Sequence, residues 1–173
     1  MDTVLQLIYL LIPAVLVFFT ALIFFRRMQD DQRKFQRLLI RMEERKQSLP
    51  LQLKAYERLI IMLERITPGP MVMRLNAVGK NGAQLQLEML KQIREEFEHN
   101  ISMQMYVSQT AWEMTKMAKD ETSQLINIAA TKAGSDATAL AFSKEVFALE
   151  ETTANQSIKQ ALALLRDEAR RMM

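Results

Sequence analysis

A carboxylate and an imidazole three residues apart, Glu96 and His99, form a Glu-x-x-His pair within "REEFEHN". On a helix that spacing puts both groups on neighbouring positions of one side, the pairing that holds metal in carboxylate-bridged di-iron bundles. Such a centre needs two of these units and two further glutamates, all directed inward. This chain has one histidine. A second copy would have to supply the other unit, with Glu121 as an extra carboxylate from a facing helix. On a helical wheel centred on Phe97, His99 falls about 200° away, flanked by Glu88 and Glu95. Glu96 lies nearer Leu85, Met89 and Met103. The pair therefore straddles an edge and reads as a charged surface with a Glu95–His99 contact. No metal and no cofactor is expected. Glu95 and His99, with Tyr56, Tyr106 and Trp112, are candidate contact residues.

Other chemistries find less. There is no glycine-rich phosphate loop, and with no cysteine there is neither a thiol nucleophile nor a thiolate metal site. A Ser-His-Asp set would rest on His99 and scattered serines, and nothing supports one. No enzymatic activity and no small-molecule substrate are expected.

The elements that must carry these residues are helices. Sustained alternation with β-branched residues is missing, and Gly and Pro number only 4 each. Thirteen methionines supply side chains that fill irregular gaps. The net charge of +3 is unevenly placed. Arg26 to Lys46 holds eight Lys/Arg against four Asp/Glu, Asp2 adds one negative charge, and the rest balances at fifteen against fifteen. A broadly basic nucleic-acid-binding surface is thereby disfavoured.

Val4 to Phe25 is 22 residues without a formal charge. As a helix it spans about 33 Å, enough to cross the hydrocarbon core of a bilayer. Its start lacks Lys or Arg, and it ends in Phe24-Phe25 followed by Arg26-Arg27. That pattern fits a retained anchor better than a cleaved signal peptide. Residues 1–25 are thus expected to be a transmembrane anchor, and 26–47 a basic juxtamembrane helix. Arg26, Arg27, Arg33, Lys34 and Arg37 in that helix favour its staying cytoplasmic, with a short N-terminus outside. Met28, Phe35, Met42 and Leu49 recur every seven residues, an imperfect heptad stripe for a dimerising stalk or for packing on the chain's own domain.

Residues 48–173 read as a small helical bundle. Ser48 and Pro50 suit a helix start, and Pro68-Gly69-Pro70 suits its end. Leu53, Tyr56, Ile60 and Leu63 form its stripe, widened by Leu59 and Ile66; Ile61 and Met62 face elsewhere. "MVMRLN" is a short helical turn and "AVGKNGA" a flexible loop. A long helix follows from about Ala83 to Met105, with Gln86, Leu90, Ile93, Phe97, Ile101 and Gln104 inward. Ser108 or Thr110 caps the next helix, whose face is Met114, Met117, Ala118, Leu125 and Ile128, with Glu121 inside it and Trp112 pointing away. Gly134 ends that helix, and Ser135 or Asp136 caps another with stripe Ala139, Phe142, Val146 and Leu149. Thr153 with Gln156 caps the last, lined by Ile158, Ala161, Leu162, Leu165, Ala169 and Met172. Several helices carry apolar residues on two sides, more than so small a bundle can enclose, and part of that surplus should cover a partner.

The opening anchor, "LPLQLKAYERLIIMLERI" at Leu49–Ile66 and "IREEFEHNISMQMYVSQTAWEMTKMAKDE" at Ile93–Glu121 together resemble an uncharacterised family of short single-pass membrane-anchored helical proteins from Bacteroidetes-type bacteria. The resemblance spans most of the chain, less clearly after Thr131. It implies a bacterial inner-membrane protein and brings no catalytic residues with it. The expectation is an all-α chain: a transmembrane helix, a juxtamembrane helix and a small cytoplasmic bundle. Such a chain would serve as an adaptor or accessory subunit in a membrane complex, as a homo-oligomer or with other membrane proteins. The alternatives are a structural stalk, by analogy of layout with peripheral-stalk subunits of rotary ATPases, and a dimeric carboxylate/His metal enzyme.

Overall fold

The computed structural model describes residues 48–75, 79–151 and 155–173, together with scattered positions between 18 and 46. The chain divides into two compact units, Met1–Ser48 and Leu49–Met173. In the first unit the described positions, among them Phe18, Phe24, Phe25, Arg26, Met28 and Met42, are helical and exposed. Most of the apolar run Val4–Phe25 lies outside the described residues, as do Arg27, Arg33, Lys34, Phe35 and Arg37. Among the described residues no helix is long and apolar enough to cross a membrane.

Among its described residues the second unit is helix apart from turns and one isolated bridge between Asn81 and Thr138. The helical residues 48–66 belong to α1, followed by α2 (Pro68–Arg74), α3 (Gly82–Asn100), a 3-10 turn (Ile101–Met105), α4 (Gln109–Ala133), α5 (Ala139–Leu149) and α6 (Asn155–Met172). Central α4 packs on α3, α5 and α6, and α2 rests on α5 and α3. One apolar cluster runs through all six helices.

Local chemistry explains most boundaries. Thr67 breaks the chain between α1 and α2, because Pro68 has no N–H to continue the ladder but is preformed for a first helical turn. The proline–glycine stretch therefore ends one helix and starts another. Ser48 and Pro50 are themselves helical rather than marking a cap. The expected loop "AVGKNGA" contains a helix start: Asn81 accepts from the Gln84 N–H at 2.8 Å while the Gln84 side chain accepts from the Asn81 N–H at 3.0 Å. Ser108 caps α4, with its Oγ accepting from Ala111 N–H at 3.0 Å, and Thr110 lies inside the helix. Gly134 ends α4 at φ 92°, a conformation that side chains disfavour. Thr138, rather than Ser135 or Asp136, caps α5. Thr153 lies outside the described residues.

Two core faces are turned from their expected positions. On α3 the buried set is Gly82, Leu85, Met89, Ile93, Glu96 and Asn100, while Leu90 and Phe97 pack at its edge and Ile101 is exposed. The helix ends at Asn100, and the last five expected residues tighten into the 3-10 turn. On α4 the buried face is Ala111, Trp112, Thr115, Ala118, Thr122, Leu125, Ile126 and Ala129, leaving Met117 and Ile128 exposed. Small residues allow α4 to approach three neighbours closely. The buried Thr115 and Thr122 hydroxyls donate to the carbonyls four residues back, each at 2.7 Å, and so need no partner from another helix. Met62, expected to face away, is fully buried, whereas Ile61 is exposed. The stripes of α5 and α6 are as expected, with Ser143 and Ser157 added.

Candidate functional site

Three acidic residues sit on or beside core faces, and each has a different partner. Glu96 is nearly buried and pairs with Arg65 Nη1 of α1 at 2.9 Å, while Gln92 donates to the same carboxylate at 3.2 Å. Glu121 of α4 accepts from Ser157 Oγ of α6. Glu168 of α6 accepts from Tyr56 of α1 and from Ser108 at the start of α4. His99 is exposed, and Glu95 turns to Lys91 at 3.7 Å. Glu96, His99 and Glu121 are thus not gathered into one centre. Among the described residues no group of three His, Cys, Asp or Glu side chains could hold a metal ion.

The expected contact residues separate into two kinds. Trp112 is only 7% exposed and stacks on Phe97, with ring centroids 5.4 Å apart; Lys119 Nζ lies 4.8 Å above the same Phe97 ring. Trp112 therefore packs α4 on α3 rather than offering a surface. Tyr56 is 1% exposed. Its hydroxyl donates to Glu168 Oε2 at 2.7 Å and accepts from the Ser108 N–H at 3.2 Å. Ser108 Oγ closes the triangle, donating to Glu168 Oε1 at 2.8 Å. Burial first, and then the bond to Glu168, push the Tyr56 phenol above its ordinary value.

This triangle forms the floor of a groove of about 420 Å³, whose walls include Gln52, Met105, Tyr106, Val107, Arg171 and Met172. The structure thus brings Tyr56 and Tyr106, two of the sequence-derived candidates, to one place and adds Ser108 and Glu168. Glu168 left a faint trace in the sequence: an acid between Leu165 and Ala169 on the cleanest apolar stripe in the chain. Nothing in the sequence says that α1, the start of α4 and the end of α6 meet.

A family model described as "Family of unknown function (DUF7935)" matches residues 2–172. The chain belongs to this family. The DUF7935 match covers both the apolar opening and the helical unit, so the expected membership in an uncharacterised family holds across nearly the whole chain. No curated protein and no solved structure matches it.

A further acid, half-buried, was not anticipated. Glu150 follows α5 and receives the Gly69 N–H at the start of α2. Burial raises its carboxyl above the usual value, against the opposing pull of that N–H and of Lys159. A methyl group on Gly69 would strike Glu150 Oε2 and lie 3.1 Å from Phe147 Cε1, so the contact depends on glycine.

Proposed function

We propose that this DUF7935 protein is a membrane-anchored adaptor or accessory subunit that works by helix-mediated protein contacts. One observation carries the reading: large apolar side chains stand exposed on several helices of the second unit. Met73 on α2 is 78% exposed, Leu87 on α3 71% and Leu140 on α5 66%, and Phe147 lies two turns along α5 from Leu140. The bundle has its own closed apolar cluster and does not use them. The charge-free run Val4–Phe25 supports an anchor, and the basic surplus after it supports a cytoplasmic bundle at a bacterial inner membrane. The partners would be the bilayer, further copies of the chain or other membrane proteins. Residues 49–173 fold back on themselves instead of extending as a rod, which favours the adaptor over the stalk.

The test places photo-crosslinking residues at Met73, Leu87 and Leu140, and at exposed polar control positions such as Lys132, in cells. Defined adducts at the apolar positions and none at the controls are the expected result. Equal labelling at both, with a monodisperse monomer on extraction, would sink the adaptor reading.

A further inference from the structure

Among the described residues Glu168 has hydroxyl partners and no basic one. Its two oxygens each accept one hydroxyl, from Tyr56 and from Ser108. Among the described residues no lysine, arginine or histidine pairs with it, although arginines flank it on α6. Arg166 turns to Glu64 at 2.8 Å, and Arg171, which lines the groove, turns to Asp167 at 2.5 Å. Arg171 is thus paired within its own helix, and the partners of Glu168 are two hydroxyls. Each oxygen of an ionised carboxylate has room for more than one donor. Glu168 is half-buried at the groove, and a bound cation would add the charge-assisted hydrogen bonds that its two hydroxyl partners do not supply.

The walls select the kind of cation. Calcium or magnesium wants several hard oxygen ligands, and one carboxylate with two donating hydroxyls cannot supply them. Tyr106, Met105 and Met172 instead present an aromatic ring and two thioethers, which suit the alkyl part of an organic cation whose charged head meets Glu168. An anion would meet Glu168 first, and a neutral apolar ligand would leave the carboxylate unanswered. The volume of about 420 Å³ lies within the usual range for small-molecule sites.

We infer that this groove binds an organic ammonium group, its N–H donors on the free lone pairs of Glu168 and its carbon skeleton against Tyr106, Met105 and Met172. A free alkylamine and an ethanolamine lipid headgroup share that chemistry.

The experiment titrates hexylammonium, hexanol and hexanoate into the full chain in maltoside micelles, which contain no amine, and reads binding by methionine-methyl NMR and calorimetry. Saturable hexylammonium binding is expected, with hexanol about tenfold weaker and hexanoate weaker still. Glu168→Gln, which keeps an acceptor for Tyr56 or Ser108, should weaken hexylammonium by about tenfold and leave hexanol unchanged. A second arm repeats the titration in nanodiscs of phosphatidylglycerol with and without phosphatidylethanolamine. Competition by the ethanolamine lipid identifies the headgroup as the natural source; its absence identifies a free amine. No saturable hexylammonium binding to the wild-type chain would overturn the inference, as would equal affinity in a folded Glu168→Gln chain. If Glu168→Gln fails to fold, Tyr106→Leu decides: weaker hexylammonium binding at unchanged helicity supports the site, and unchanged affinity rejects it.

Discussion

At Tyr56 one phenol ties three helices through a single oxygen. Tyr56→Phe removes the bond donated to Glu168 and the one accepted from Ser108 N–H, with little change in volume. The expected loss is about 1–3 kcal/mol, measured by urea unfolding, because the part-buried carboxylate and amide lose a partner each. The raised phenol pKa gives the sign of a pH effect. Its contribution is fully present below the ordinary phenol value of 10.0 and is lost as pH rises through the higher folded value. Stability of the wild-type chain should therefore fall above that pH more steeply than that of Tyr56→Phe. Parallel curves would show that the phenol does not titrate differently on folding. Glu150 behaves in the same sense at the acid end. Its folded value is raised, so its contribution is present below the ordinary carboxyl value of 4.5 and is lost as pH rises through the folded one. Glu150→Gln keeps an acceptor for Gly69 N–H, and it should raise the melting temperature at neutral pH but not under acid conditions.

Between elements, close approach of backbone decides the geometry. The N–H of Gly82, first residue of α3, donates to Ala137 O at 2.8 Å, and an added Cβ would lie 2.9 Å from that same oxygen. Backbone on both sides leaves nothing flexible to yield. Gly82→Ala should cost about 1–3 kcal/mol despite the better helix propensity of alanine, and calorimetric melting checks it. A gain in stability would mean that the turn before α5 can move. The α4 seam makes the complementary prediction. Thr115→Val exchanges a hydroxyl satisfied within its own helix for a methyl of like size, so a change within about 1 kcal/mol is expected. Thr115→Leu adds volume where α4 meets its neighbours and should cost more, about 1–3 kcal/mol. If the two variants were equally destabilised, the seam would depend on the hydroxyl rather than on its size.

For the molecule as a whole, the division at Ser48 predicts that residues 49–173 fold without the rest of the chain. The fragment should give a helical circular dichroism spectrum and one cooperative thermal transition. A broad, non-cooperative melt would show that the unit needs the first 48 residues. If the adaptor reading holds, the same fragment retains its exposed Met73, Leu87 and Leu140 and should self-associate or bind detergent more than a variant with all three changed to glutamine.

The sequence by itself determined that the chain is helical, that α1 stops before Pro68 and α4 before Gly134, and which stripes of α5 and α6 face inward. These follow from local rules: the period of apolar residues, caps at Ser108 and Gly134, and prolines at 68 and 70. The faces of α3 and α4 needed the tertiary structure. A wheel counts threonine and glutamate as polar, but Thr115 and Thr122 satisfy themselves within the helix, and Glu96 is made tolerable inside by Arg65 from α1. Trp112 likewise reads as an outward residue until Phe97 is placed against it. The Tyr56–Ser108–Glu168 floor joins residues separated by 52 and 60 positions, and no local pattern encodes such a meeting. It exists because packing around α4 brings α1 and the end of α6 to one end of the bundle, where Tyr56, Ser108 and Glu168 bond to one another.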